Sequence, residues 1–378
     1  NVTTTFAEHS GAELPVEIGI AHASLGRRFS AGEQTFDGLS RRTSYTVGGR
    51  QTLFNYTEGG LRPTTETTPL NQVITYGYEP ALGMQLTSRT DVSASTYEYD
   101  KKHAQLTYTA RDGLEKRMEY YRSGLLEVEK WKYGAEEERK ATHTYSLAGR
   151  AQTYTNVFDV KQVITYDALD RPEKLTHEGI VCELKRDGFG RVKSIKAWEG
   201  LHSMTTTIDY DDFGREWQRT FTAVAIGGDT LSQTLTQKYN KGEQLEERTL
   251  TQGGSSVRVE GFKYDNRGHL VEYTCTGTQL PTDPWGKTIH KQVFDIDAFD
   301  RIRSITTTFP GGENVTTYSY EEDDPAQLTR ISHSHADYPQ NMPDLKWDGA
   351  GRVISDEQGR SLSWNAQNQL IEITAPAA

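Results

Sequence analysis

Tyr210-Asp-Asp-Phe-Gly-Arg215 is the clearest copy of a short motif that recurs along this chain and decides the predicted fold. Other copies read Tyr166-Asp-Ala-Leu-Asp-Arg171, Arg186-Asp-Gly-Phe-Gly-Arg191 and Trp347-Asp-Gly-Ala-Gly-Arg352. The pattern is an aromatic residue, Asp or Asn, two variable residues, Gly or Asp, and usually Arg. Its first position falls at residues 145, 166, 186 and 210, which are steps of 21, 20 and 24 residues. A period of this length indicates a repeat architecture.

The residue types of the motif suit a tight β-hairpin turn. Asp at the first position of a type I turn accepts a hydrogen bond from the backbone two residues on. Gly, or next best Asn or Asp, suits the left-handed residue that closes the hairpin as a bulge. We expect the aromatic residue to end one strand and the Arg to open the next. The predicted turn-motif residues are Tyr166, Asp167, Arg171, Asp187, Gly190, Arg191, Tyr210, Asp211, Gly214, Arg215, Tyr264, Asp265, Gly268, Asp297, Asp300, Arg301, Trp347, Asp348, Gly351 and Arg352. Ser40 and Glu243 occupy the left-handed position in degenerate copies and fit it less well.

The residues between the motifs favour strands. The 378 residues include 20 Tyr, and without Tyr but with Gly the apolar share is about 38%, below the roughly 45–50% of a typical globular chain. High strand propensity with low apolar content predicts a sheet with two wet faces or a sheet around a polar cavity. We therefore predict an all-β fold in which β-hairpins stack into one continuous curved sheet, since a single repeat cannot bury a face alone. Residues 1–75 form a degenerate segment of this kind, and residues 76–378 form one continuous repeat architecture without an effector domain.

Side chains at a fixed distance after the motif are expected to point to the same face of the outgoing strands. Four residues after the Arg position stand Tyr154, Leu175, Ile195, Tyr273 and Ile305, which predicts an inward row. Arg219, Arg248 and Asp356 interrupt it.

Charge and composition exclude several classes of protein. A net charge of -11 disfavours nucleic acid as a partner. No apolar run approaches the length of a transmembrane helix, and the first residues do not form a signal peptide. Cys182 and Cys275 are too far apart for a CxxC motif and are expected to be free thiols.

Candidate sites for chemistry are few, and we predict no enzyme activity, cofactor or metal. His333-Ser-His335-Ala-Asp337 places possible metal ligands at alternate positions, but a solvated loop is the favoured interpretation. Glu321-Glu-Asp-Asp324 is interpreted as an acidic turn. The motif Asp residues recur, whereas a catalytic carboxylate pair occurs once. The motif Arg residues are expected to pair with neighbouring repeats or backbone carbonyls.

The repeats resemble RHS, or YD, repeats, which occur in bacterial polymorphic toxins, in the B and C components of Tc toxin complexes and in animal teneurins. Phe36–Arg42 and Tyr76–Gly83 are similar to the middle of such a toxin shell. Asp283–Lys287, Phe294–Asp300 and Asp356–Arg360 look most like the Tc C component.

The resemblance implies a fold and a role. It implies that the sheet winds into part of a hollow, cocoon-like shell around a C-terminal toxin effector, which stays protected until delivery. It also implies secretion or delivery from bacteria, and a second RHS or B-component-like chain that completes the shell. The RHS-associated core segment with its self-cleavage site has no match in this sequence, and Asp283-Pro284 stands in another context. The alternative function is a cell-surface adhesion or carbohydrate-binding module.

Overall fold

The computed structural model describes residues 2–8, 15–22, 28–321, 324 and 326–376, and this part of the chain is almost entirely β-structure. A short 3₁₀ turn lies at Pro80–Leu82. The strands are β1 (Val2–Glu8), β2 (Pro15–His22), β3 (Arg28–Phe36), β4 (Arg42–Val47), β5 (Arg50–Asn55), β6 (Thr65–Thr67), β7 (Val73–Glu79), β8 (Gln85–Thr90), β9 (Ala94–Asp100), β10 (Gln105–Arg111), β11 (Leu114–Tyr120), β12 (Leu126–Tyr133), β13 (Arg139–Tyr145), β14 (Ala151–Thr155), β15 (Lys161–Tyr166), β16 (Pro172–His177), β17 (Ile180–Arg186), β18 (Val192–Glu199), β19 (His202–Tyr210), β20 (Glu216–Val224), β21 (Thr230–Tyr239), β22 (Leu245–Gln252), β23 (Ser255–Tyr264), β24 (Leu270–Gly277), β25 (Lys291–Ile296), β26 (Ile302–Phe309), β27 (Gly312–Tyr320), β28 (Leu328–His333), β29 (Lys346–Trp347), β30 (Val353–Ser355), β31 (Ser361–Trp364) and β32 (Leu370–Thr374).

Antiparallel pairing between strands that follow each other in the chain builds the fold. Strands β1–β28 belong to one long sheet, and β29–β32 form a second sheet of four strands. Each strand from β1 to β8 pairs with the next one. The same ladder runs from β10 to β24. The prediction of an all-β fold made of stacked antiparallel hairpins is confirmed.

The chain divides into two compact units. Unit 1 comprises residues 1–98 and 293–378, and unit 2 comprises residues 99–292. The sequence analysis divided the chain by another criterion: residues 1–75 carry degenerate repeats, and the regular repeats begin after residue 75.

Motif turns carry a β-bulge with one extra residue at the start of the outgoing strand. The register shifts by one residue between Thr165 and Tyr166, between Asp209 and Tyr210, and between Lys263 and Tyr264. The extra residues on the outgoing strands are Glu173, Trp217 and Val271. A bulge of this kind accompanies a left-handed residue in the turn.

The two faces of the sheet in unit 2 differ in chemistry. One face carries apolar and aromatic side chains together with every strand residue of the unit that is buried, namely Met118, Ala141, Thr206, Ile208, Glu260 and Cys275. We call it the apolar face. The opposite face carries cross-strand rows of Thr, such as Thr207, Thr220, Thr234 and Thr251, and we call it the threonine face. The low apolar content of the chain therefore coincides with a division into one polar face and one more apolar face.

In unit 1 the four-stranded sheet lies against the long sheet. Its turns at 348–352 and 365–369 line a pocket together with Tyr45, Thr52, Glu66 and Ile74, which share one face of β4–β7. A Cβ at Gly351 would lie 2.8 Å from Arg50 Nε, so the turn at 348–352 lies directly against the Arg50 side chain. Polypeptide from the same chain thus covers this face in unit 1.

Candidate functional site

The motif turn at 211–215 displays the local geometry of the repeat. The Asp211 N–H donates to Arg215 O over 2.8 Å, and the Gly214 N–H donates to Asp211 O over 2.9 Å. Asp211 Oδ1 accepts from the backbone N–H of Phe213 (3.0 Å) and of Arg215 (2.9 Å). Gly214 has a φ of 82°. Asp is needed because one carboxylate oxygen satisfies two turn donors that have no other partner.

The motif Arg binds the Asp of its own turn. In the turn at 167–171, Arg171 Nε lies 2.8 Å and Nη2 lies 2.7 Å from Asp167 Oδ2. The side-chain hydrogen bond from Arg171, with the backbone hydrogen bonds from Arg171 and Leu169, lowers the pKa of Asp167 to about 2. The sequence led us to expect pairing of Arg with other repeats or with carbonyls. Arg352 Nη1 does donate to Asn365 O in the next turn, and the pairing within the turn adds to that expectation.

The same guanidinium also stacks on the aromatic residue of the following repeat. Arg191 Cζ lies 4.3 Å from the ring centroid of Tyr210 and 5.1 Å from that of Phe189. Arg215 lies between Tyr239 (4.6 Å) and Phe213 (5.0 Å) in the same way. Arg191 and Arg215 are therefore each held between the ring of their own turn and the ring of the next repeat, an arrangement that favours the cation over each ring face.

A hydrogen bond to the backbone ties several motif aromatics to the preceding repeat. The Tyr210 hydroxyl donates to Val192 O over 2.8 Å, and the Tyr239 hydroxyl donates to Glu216 O over 2.7 Å. Both acceptors directly follow a motif Arg. Where Trp364 replaces Tyr, its indole Nε1 donates to Val353 O over 2.8 Å. Where Arg186 replaces Tyr, its Nη1 donates to Pro172 O over 2.8 Å. The position therefore often holds a long donor, which the sequence pattern alone described only as aromatic, although Ile296 fills it without one.

The structure places the predicted motif residues in equivalent turns. The left-handed position has positive φ in every copy whose residues were predicted above, at Asp170, Gly190, Gly214, Gly268, Asp300 and Gly351. The turn hydrogen bonds recur after Asp167, Asp187, Asp211, Asp265, Asp297 and Asp348. Ser40 and Glu243, which fit the pattern poorly, also adopt positive φ, at 58° and 62°.

Two further turns use the same chemistry. Asn156 Oδ1 accepts from the backbone N–H of Phe158 and Val160, and Asp159 has a φ of 60°. The signal for this turn was Asn followed by Asp at the left-handed offset, without an aromatic or Arg. Asp283, which the sequence placed in another context, accepts from the N–H of Trp285 and Lys287 and opens an equivalent turn.

Ion pairs occupy part of the apolar face in unit 2. Arg219 and Arg248, which interrupt the predicted inward row, share this face with its apolar members. Arg219 binds Glu216 through two bonds of 2.8 Å and 2.6 Å, and Arg248 binds the buried Glu260 through bonds of 2.7 Å and 2.9 Å. These bonds neutralise the charges, so Arg substitutes for an apolar residue there.

The titratable groups around Glu260 in unit 2 have shifted pKa values. Tyr273 donates its hydroxyl to Glu260 Oε1 over 2.9 Å, and burial raises the pKa of Tyr273 above its usual value. Burial opposes the ionisation of Glu260, yet the hydrogen bonds from Arg248 and Tyr273 hold its pKa below the usual value. Cys275, a free and buried thiol, has its pKa raised by burial. Arg248 and Tyr273 thus bind Glu260 directly, and Arg258 Nε lies 3.4 Å from Glu260 Oε2.

Three sequence interpretations in unit 1 need correction. Asp356 does not belong to a strand row but opens its own turn, with Oδ1 accepting from Gln358 and Arg360. His333 ends β28 and is buried beside Asn314, so the expected solvated loop is wrong there. Asp324 is buried and paired with Arg50, while residues 322 and 323 lie outside the described part of the chain.

Two further kinds of feature concern metal binding and membrane crossing. Over the described ranges, no group of three or more His, Cys, Asp or Glu side chains is arranged to hold a metal ion. In the same part of the chain, no helix combines the length and apolar character that a membrane crossing requires.

Solved structures similar to this chain come from Tc toxin complexes. The crystal structure of TcdB2–TccC3 matches over 100% of this chain with a TM-score of 0.58 at 12% identity, and this chain spans 22% of that chain. The TcdB2–TccC3–Cdc42 crystal structure matches over 99%, with 23% of that chain covered, a TM-score of 0.47 and 11% identity. The Photorhabdus luminescens Tc holotoxin pore matches over 99%, with 27% of that chain covered, a TM-score of 0.36 and 11% identity. No protein-family model and no curated protein matches. The chain therefore has the β-sheet fold found in TcdB2–TccC3 and spans about a fifth of that chain's length.

Proposed function

We propose that this chain is a segment of the wall of an RHS/YD-repeat shell that encloses a C-terminal effector polypeptide of a bacterial toxin. The observation that carries the proposal is the tether from motif aromatics such as Tyr210 and Tyr239 to the carbonyl after the preceding Arg, at Val192 and Glu216. Where it occurs, this tether joins one repeat to the next in sequence, so the sheet extends by adding repeats. The fold shared with TcdB2–TccC3 supports the same reading.

In this proposal the chain has a structural role and no catalytic one. The carboxylates that recur along the chain are occupied, since Asp211 accepts two backbone N–H groups and two Arg215 N–H groups. A general acid or base needs a carboxylate that can exchange a proton with a substrate. The Asp211 carboxylate would become available for such an exchange only if the turn opened and these hydrogen bonds broke.

The proposed partners are the enclosed effector and a second RHS or B-component-like chain that completes the wall. The proposed location is outside the producing bacterium, after secretion or delivery. Both follow from the family resemblance of the repeats and from the Tc complexes that share the fold.

Electron microscopy of the full-length parent protein tests the proposal. We expect a hollow particle with density for the effector inside it. Small-angle scattering should give a distance distribution typical of a shell. A solid globule of the same mass would refute the proposal.

A second candidate function is supported by the pocket in unit 1. This pocket has a volume of about 290 Å³, and its lining includes Arg50, Glu66, Gln72 and Arg89. Gln72 Nε2 is buried and has no hydrogen-bond partner among the described residues. Convergent polar side chains in a concave site favour a small polar ligand such as a sugar. Saturable binding on a glycan array that is lost in Gln72→Leu would favour an adhesion module; no saturable binding would exclude it.

A further inference from the structure

We infer that the apolar face of unit 2 is the surface that contacts the enclosed polypeptide, and that it binds an extended segment carrying apolar and acidic side chains. This inference rests on the proposed function and adds which face of the sheet binds and what chemistry it selects. The threonine face is assigned to solvent.

The first argument is the distribution of side chains between the faces. Every buried strand residue of unit 2 lies on the apolar face. Towards one end of the strands the same face leaves large side chains open to solvent, with Ile180 exposed by 43%, Met204 by 55% and Leu231 by 51%. A sheet with one apolar face is stable when another layer of structure covers that face. The threonine face needs no such layer, because its side chains hydrogen-bond to water.

The second argument is what covers the comparable face in unit 1. There, two turns of the four-stranded sheet lie against the face that carries Thr52 and Ile74, both of them buried. Gly349 fits close to Leu70, because a Cβ at this glycine would lie 3.3 Å from Leu70 Cδ2. The covering material is polypeptide with small side chains at the contact. We therefore assign polypeptide, and not lipid or nucleic acid, as the occupant in unit 2.

The third argument comes from polar atoms that are buried on the apolar face without a partner. His143 Nε2 and His177 Nδ1 belong to this face, and neither has a hydrogen-bond partner among the described residues. A buried polar atom without a partner is destabilising. When the side chains that cover these atoms move apart, the backbone amides of an extended segment can pair with either tautomer of the imidazole.

The fourth argument is charge. Lys116, Arg219 and Arg248 on the apolar face are each paired with a Glu. Arg139 and Arg186 belong to the same face but lack a carboxylate within the described residues: Arg139 stacks on Phe158, and Arg186 donates to Pro172 O. Two cations without anionic partners favour acidic side chains in the segment that binds.

Binding of an unfolded probe tests the inference. The probe is reduced and carboxymethylated α-lactalbumin, which is acidic and cannot refold. The full chain is compared with Leu231→Glu on the apolar face and with Ser232→Glu, an exposed neighbour on the threonine face. We expect Leu231→Glu to weaken probe binding about tenfold or more, because the new carboxylate is desolvated by the probe. Ser232→Glu should change the dissociation constant by less than about twofold.

Crosslinking locates the contact independently of the affinity. A photoreactive phenylalanine at Met204 should crosslink to the probe, and one at the neighbouring Thr205 should not. Arg139→Gln should weaken binding of this acidic probe more than binding of a reduced and carbamidomethylated basic protein. Thermal melts establish that each variant is folded.

The outcomes separate this inference from the proposed function. Equal effects of the two Glu variants, crosslinking from Thr205, or failure of the wild-type chain to bind the probe would each overturn the inference. A hollow particle with cargo inside would leave the proposed function standing in those cases. A solid particle would refute the function whatever the probe does.

Discussion

Gly214→Val is expected to destabilise unit 2 through two separate effects. Gly214 has a φ of 82°, and a residue with a side chain pays about 1–2 kcal/mol in this conformation. A Cβ at this position would also lie 3.2 Å from Arg191 Nη1, so the guanidinium must shift away from Tyr210, on which it stacks at 4.3 Å. Loss of that cation–π contact costs about 0.5–1 kcal/mol. Together these effects lower the free energy of unfolding by about 1.5–3 kcal/mol.

Gly228→Val is the matched control for this variant. Gly228 has a φ of 86°, in the same left-handed range, but a Cβ there would meet no atom within 4 Å. It should pay the conformational cost alone, about 1–2 kcal/mol. Any stabilisation from lower entropy of the unfolded chain is shared by both variants and cancels in the comparison.

Differential scanning calorimetry measures both changes. An unfolding entropy of about 2.1 cal/mol/K per residue over the whole chain converts about 1.5–3 kcal/mol into a fall in Tm of about 2–4 °C. A Gly214→Val protein that melts with the wild type would refute the turn assignment. Equal losses in the two variants would refute the contribution of the Arg191 stack.

Other perturbations probe the ion pairs and the thiols. Arg248→Met leaves Glu260 buried without its two-bond partner and should cost about 3 kcal/mol, and Glu260→Gln should recover part of that loss; strict additivity in denaturant unfolding would contradict the pairing. The Asp167 carboxylate is stabilised in the folded state, with a pKa of about 2 against the ordinary 3.8, so its contribution is complete above about pH 4 and is lost as the pH falls towards 2. An NMR titration of Asp167 with a midpoint near 3.8 would contradict this account. Cys182 should react with iodoacetamide faster than Cys275, whose thiol is buried with a raised pKa; mass spectrometry of the native protein would detect the reverse order.

Local features of the fold could be predicted because the turn chemistry lies within five consecutive residues. Asp167 binds donors two and four residues further on, and Asp170 closes the turn with a φ of 59°. No distant contact is needed for these bonds. The turn at 156–160 escaped prediction because only Asn156 and Asp159 carry the signal, while the aromatic and Arg positions hold other residue types.

The pairing across repeats could not be predicted from the pattern. Arg186 replaces an aromatic residue, and only the structure reveals that both residue types donate to the carbonyl after the preceding Arg. Arg219 and Arg248 contradict the expected apolar row by residue type. The partner of Arg219 is Glu216, three residues earlier in the chain, and the partner of Arg248 is Glu260 on the next strand. Neutralisation of the two Arg charges therefore depends on the bulge and on the strand register.

The sequence by itself determined that this protein is built of repeated β-hairpins, because Asp, a left-handed residue and Arg at constant spacing specify a turn through local hydrogen bonds. Only the tertiary structure decided how the hairpins join and which face is apolar. A one-residue bulge at each turn resets the alternation of side chains, so the facing of Tyr210, Arg219 or Cys275 follows from the pairing with neighbouring strands. The motif therefore specifies each hairpin, and the cross-strand register specifies how the hairpins join into one sheet.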